Sequence, residues 1–191
     1  MKFEEVRVIK SGRRTMELRV DDFGRVTLRV PERAKEGDIR RFFESRREWA
    51  ERHAEKLKHG DNVGFTDGEI RAMEKKARSM LPVRVAYYAM KTGVTYGRIT
   101  VRRQVTKWGS CTSRGDLNFN CMLALMPDGV IDSVIVHELC HIKHMDHSKA
   151  FYNEVRRVLP DYDAMRKWLS ENGSIYMRKM RIYREEKRKN A

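Results

Sequence analysis

Residues 134–147 read VIVHELCHIKHMDH and place four of the chain's six histidines, His137, His141, His144 and His147, within eleven positions. Two of them, with a glutamate between, spell H-E-L-C-H, an HExxH pattern. On a helix, His137 and His141 stand one turn apart on the same face. Both imidazoles can then reach one ion at the ~2.0–2.1 Å that zinc requires. Glu138 is turned about 100° away, so it flanks the ion rather than binding it. There it can act as general base on a metal-bound water, whose pKa zinc lowers to about 7. The surrounding residues are strongly apolar, and unpaired polar groups are costly inside such a helix. Metal binding is therefore preferred to a pair of satisfied core histidines.

A catalytic zinc site needs a third protein ligand and one open position. His147 follows His141 by six residues, giving HExxHxxxxxH, the ligand spacing of a metzincin-type site. For His147 to fold back over the ion, the helix must end between the two. Met145-Asp146 ahead of Ser148, a natural cap for the next helix, is where that break belongs. His144 is the competitor, and Glu154 and Glu171 are weaker carboxylate alternatives. Cys140 lies on the flank opposite Glu138 and reads as a small core residue. Cys111 follows Trp108-Gly109-Ser110 in a loop, and a nucleophilic role would need a base within reach. His53 has no second ligand near it in sequence.

Several elements must position these groups. The first thirty residues read as three short strands, VRVIK, TMELRV and RVTLRV, with Asp-Asp-Phe-Gly as the turn between the last two. They are expected to form a half-buried antiparallel meander. Asp38 can cap a helix with apolar positions Ile39, Phe42, Phe43, Trp49, Ala50 and Leu57, running to about His59. HGDNVG, residues 59–64, is the best boundary. Thr66 to Glu69 spells a capping box, and Pro82 either kinks the helix that follows or starts a second one. RITVRRQV reads as a strand and KWGSCTSRGD as a loop. LNFNCMLALM reads as a second strand, and an exposed edge there could pair with an extended peptide beside the metal. The helix from about Asp128 to His144 is apolar nearly all round, hence central. Another begins near Ser148, and a last one is expected to run from Asp161 to Asn172-Gly173. Residues 174–191 then read as a basic tail, with the core complete by about Asn172.

Composition narrows the functional classes. Forty per cent hydrophobic residues excludes wholesale disorder. No apolar run approaches the roughly 18–20 residues that span a bilayer, and the charged N-terminus lacks a signal-peptide core. A cytoplasmic location without membrane partners is expected. Three cysteines, Cys111, Cys121 and Cys140, make neither a disulfide framework nor a zinc ribbon. The net charge of +14 either keeps the surface solvated or attracts anions such as nucleic acid, acidic protein or nucleotides.

The chain resembles the YgjP-like metallopeptidases, a zincin-type family related to the SprT-like and WLM groups. The resemblance rests on SGRRTMELRV, the RREW helix end, KWGSCTSRGDLNFN and above all VIVHELCHIKHMDHSKAFY, with H-S-x-x-F after the HExxH helix. It implies His137, His141 and His147 as metal ligands and Glu138 as general base, agreeing with the spacing. His144 stands where metzincins place a glycine, and no methionine-turn motif follows, so the chain is not a metzincin proper. The expected fold is α+β, an N-terminal antiparallel β-meander plus a zincin-like helical domain with a small sheet and a central HExxH helix. The expected divisions are 1–60, 61–173 and 174–191.

The leading expectation is a zinc-dependent hydrolase, a metallopeptidase acting on a peptide or protein. A second is a metal-dependent nucleoside triphosphate pyrophosphohydrolase, because residues 91–115 carry six lysines and arginines and no acid. A third is a nucleic-acid-associated binding module with structural zinc. Three histidines with an open position argue against it, since structural zinc favours four ligands and cysteine. Substrate identity, the metal used and the oligomeric state are not legible.

Overall fold

In the computed structural model, which describes residues 1–59 and 63–190, the chain is α+β and forms two compact units, Met1–Val63 and Gly64–Ala191. The proposed boundary at 59–64 falls partly outside the described residues, as does the side chain of Leu57.

The first unit holds β1 (Arg7–Ser11), β2 (Glu17–Val20) and β3 (Val26–Pro31), then α1 (Glu36–Glu44) and α2 (Arg47–His59). Strand order is β1-β3-β2, with β1 parallel and β2 antiparallel to β3. The expected antiparallel meander is thus corrected to a mixed sheet. The Asp21 turn does join β2 to β3, its carboxylate accepting from the Phe23 and Arg25 backbone N–H groups. What differs is β1, which crosses to the far side of β3. β3 alternates strictly, burying Val26, Leu28 and Val30, whereas β1 and β2 are largely exposed or half-exposed. The best-patterned strand takes the centre and the weaker two flank it. The single helix expected over 38–59 is two, broken at Ser45-Arg46. Trp49 is 44 % exposed and stacks on His53 instead of entering the core, which Ala50 and Ala54 join.

The second unit follows as α3 (Asp67–Thr92), β4 (Ile99–Arg102), β5 (Gly109–Cys111), β6 (Leu117–Asn120), α4 (Asp128–Cys140), α5 (Lys149–Val158) and α6 (Tyr162–Lys189). α3 opens on the capping box, Thr66 Oγ1 accepting from the Glu69 N–H while Thr66 N–H donates to Glu69. It continues through Pro82 as one helix. Sheet order is β4-β6-β5, with β6 parallel to β4 and antiparallel to β5. LNFN is therefore the central strand, paired on both sides, and cannot offer a free edge to a peptide. CMLAL leaves the sheet as a buried 3-10 turn, because the Asn120 side chain accepts from the Met122 N–H and bends the chain there. The edge strands are β4 and β5, the latter too short and glycine-containing to show any alternation in sequence.

α4 lies in the middle of this unit, burying Val130, Ile131, Val134, Ile135, Val136 and Leu139. Its start is tied to α3 by Arg84, which pairs with both Asp128 and Asp132. Asn172-Gly173 reads in sequence as a helix end, yet α6 runs on to Lys189. The glycine serves close packing: a Cβ on Gly173 would sit 2.9 Å from the Trp108 ring. Beyond it Met177, Met180, Ile182 and Tyr183 are buried, so the core is not complete at Asn172. No described helix is long and apolar enough to cross a membrane.

Candidate metal centre

α4 ends at Cys140, with His141 at its C-cap, and the chain turns through 142–147 before Ser148 caps α5 by accepting from the Phe151 N–H. That turn swings His147 back over the helix end. Nε2 of His137 lies 3.2 Å from Nε2 of His141 and 3.1 Å from Nε2 of His147. Ligand atoms of the three residues all fall within 4.8 Å of one another.

The outer nitrogens decide what these inner ones can do. His141 Nδ1 lies 3.0 Å from the His144 carbonyl oxygen, which only accepts. Nδ1 therefore carries the hydrogen, and Nε2 of the neutral ring presents a lone pair. His137 Nδ1 lies 2.8 Å from the Tyr162 hydroxyl, which accepts from Nδ1–H when Nε2 is also a lone pair. Burial, then the neighbouring His141, His147 and Arg166, holds the His137 pKa down at about 3, and burial also lowers His141. Neutral imidazoles are the form that binds metal. Ligands at ~2.0–2.1 Å in a tetrahedron stand roughly 3.3 Å apart, close to the spacing found. These residues fit a zinc ion.

Glu138 is 6 % exposed and faces Gly109 of β5. A Cβ on Gly109 would come within 2.7 Å of Glu138 Cγ and Oε1, so only glycine leaves the carboxylate its place. Burial pushes the Glu138 pKa up to about 7, opposed by the charge of Lys107 and the backbone N–H of Cys111. Beside it opens a cavity of about 290 Å³. Trp108, Val134 and Leu169 give it apolar walls, and Lys107 and Arg166 supply cations. The loop bearing Lys107 and Trp108 is pinned by Asn120. Its side-chain amide donates to the Gln104 and Lys107 carbonyls, both at 2.9 Å, and its N–H donates to that of Trp108.

The other sequence candidates fall elsewhere. His144 contributes its carbonyl to His141 rather than its ring to the cluster. Glu154 is engaged by Lys143 and Arg157, and Glu171 by Lys167. Cys140 is buried, its thiol pushed up to about 12 by burial, and burial with the Glu138 charge raises Cys111 to about 11. Neither is a ready thiolate. Of the cations in 91–115, Lys107 alone lines the cavity at Glu138 among the described residues. Tyr162 and Arg166 carried no signal in sequence, and Gly109 and Asn120 only the resemblance of the stretch KWGSCTSRGDLNFN without a role, because each lies far from the HExxH motif along the chain.

Glu154 fastens the turn that carries His147. The hydrogen bond from Arg157, then that from Lys143, overcomes burial and holds its carboxyl at about 2. A depressed folded-state pKa contributes stability that is complete above the unfolded value of ~4.3 and disappears as pH falls through about 2. Glu154→Gln is expected to cost about 1–3 kcal/mol at pH 7. Denaturant unfolding of variant and wild type from neutral to acid pH checks this; curves that stay parallel to the acid limit would refute it.

Three imidazoles thus converge with a desolvated carboxylate beside them, an arrangement able to hold a metal ion next to a base. Residues 66–172, more than half of the chain, match the family model described as YgjP-like, metallopeptidase domain, and the chain belongs to that family. Among solved structures, the metallopeptidase zymogen abylysin of Pyrococcus abyssi is similar at 16 % identity and a TM-score of 0.45, over 49 % of this chain and 96 % of that one. No curated protein matches the sequence.

Proposed function

We propose that this chain is a zinc-dependent peptidase in which His137, His141 and His147 hold the ion and Glu138 is the general base. The convergence of the three Nε2 atoms, with Nδ1 of His141 committed to a carbonyl, carries the assignment. Zinc supplies Lewis-acid polarisation of a carbonyl and a water nucleophile at neutral pH. Glu138 takes the proton of the attacking water and delivers it to the leaving amine. Burial raises this carboxyl and the charge of a bound ion would lower it again, and a base works best with a pKa near the operating pH. Tyr162 and the His144 carbonyl orient the two helix-borne imidazoles. β5 is the sheet edge beside Glu138, so an extended peptide pairing with it would bring its backbone past the base. Lys107 and Arg166 flank the cavity where a substrate side chain would lie.

The test is metal analysis beside peptide hydrolysis. Purified protein is expected to hold about one zinc per chain, and His147→Ala should weaken binding more than His144→Ala. Equal metal retention in His147→Ala and wild type would sink the ligand assignment. Stoichiometric zinc with no cleavage of any peptide in a broad mixture would sink the peptidase reading and leave the metal site standing.

A further inference from the structure

Two basic stretches that lie some eighty residues apart in sequence meet in the second unit. The loop after β4 and the last turns of α6 line one open groove of about 910 Å³, roughly three times the volume of the cavity at Glu138. Arg102, Arg103 and Lys107 come from the loop side, Arg184 and Lys187 from α6, and Glu74 is the acid among the lining residues. Two of the five cations are matched: Arg103 pairs with Glu74, and Lys187 with Asp67. Arg102 donates only to the neutral Asn118 amide. Arg102, Lys107 and Arg184 thus form no ion pair among the described residues, although the Lys107 charge also reaches Glu138. Cations without an ion pair in one concavity repel one another, and the concave wall focuses their field on whatever enters.

We infer that this groove binds the phosphodiester backbone of a nucleic acid. The groove is much larger than one phosphate group, and its cations are spread over two elements, as successive phosphates require. Hydroxyls of Thr106 and Ser110 add neutral donors. The aromatic ring in the lining, Tyr183, is buried and its hydroxyl donates to Asp67, so no face is offered for base stacking. A specific protein partner would need an apolar anchor at the centre of its interface, and this lining is mainly charged and polar. Contacts of this kind position a backbone without reading bases, so binding is independent of sequence. The inference goes beyond the peptidase reading and does not depend on it.

The test is a salt titration of labelled short duplex and single-stranded DNA binding to the full, zinc-loaded chain, read by fluorescence anisotropy. Three phosphate contacts give a log–log slope of about −2.7 on duplex, an affinity loss of about 40-fold between about 50 and 200 mM salt. The triple variant Arg102→Gln, Lys107→Gln, Arg184→Gln is expected to flatten that slope by about two to three units. A control removing the same charge from the first unit, Arg7→Gln, Lys10→Gln, Arg33→Gln, should change it by less than about one unit. Circular dichroism checks folding, and should the triple variant fail to fold, Arg184→Gln alone is expected to flatten the slope by about one. Binding of either DNA form with this cation dependence supports the groove, and the tighter form identifies the strand state. Equal flattening by both triples would reduce the effect to net charge and overturn the proposal. So would an unchanged slope in the groove variant, or an oligoglutamate peptide that binds through the same three cations while DNA does not.

Discussion

Glu138→Gln is expected to lower hydrolysis by at least about 10²-fold while zinc content stays at the wild-type level. Glutamine keeps the size of the side chain, and Gly109 still leaves it room, so the packing between β5 and α4 is preserved. What disappears is the group able to accept a proton. The carboxylate is nearly buried and lies outside the set of converging imidazoles, so metal affinity should not depend on it. Burial raises its pKa to about 7, and the charge of a bound ion would act against that shift. Zinc analysis and turnover on the same preparation separate binding from chemistry. Loss of zinc in the variant would mean that Glu138 holds the site together, and the proton role assigned to it would be wrong.

Deleting residues 174–191 is expected to abolish folding of the second unit, not merely to trim a charged end. The segment carries Met177, Met180 and Tyr183 into the core of that unit. Each buried side chain of this size is worth roughly 1.5–3 kcal/mol. Together they approach the ~5–15 kcal/mol that holds a whole domain folded. Polar ties are lost as well: Arg181 donates to the Val105 carbonyl, while Tyr183 and Lys187 both donate to Asp67 at the start of α3. The loop bearing Lys107 and Trp108 would then lose support beside Glu138. Thermal melts by circular dichroism, with gel filtration, give the answer. A truncated chain with a cooperative melt close to that of the full protein would show that the last turns of α6 are dispensable.

The sequence by itself determined what can be read from local periodicity. An i, i+4 histidine pair on an apolar run specifies both a buried helix and two imidazoles on one face, so His137, His141 and the flanking Glu138 were legible together. Ser148 was legible as the cap that turns the chain back, which brings His147 within reach. The capping box at Thr66 and the Asp21 turn are equally local, since each is closed by a side chain bonding a backbone group two to four residues away. Tertiary structure alone decided the contacts whose partners are distant in sequence. Tyr162 reaches His137 across 25 positions, and Asn120 pins the loop at Gln104 and Lys107. Gly173 looked like a helix end because glycine commonly is one. It proved to be a place where α6 needs to approach Trp108 closely, and nothing within a few residues of it encodes that neighbour. β5 was invisible for the same reason: three residues have too little pattern of their own, and they are a strand only because β6 pairs with them. Even the charge obeyed this division. The number of cations is a property of composition, but Arg102 and Arg184 share a groove only because β4 and α6 pack into the same unit.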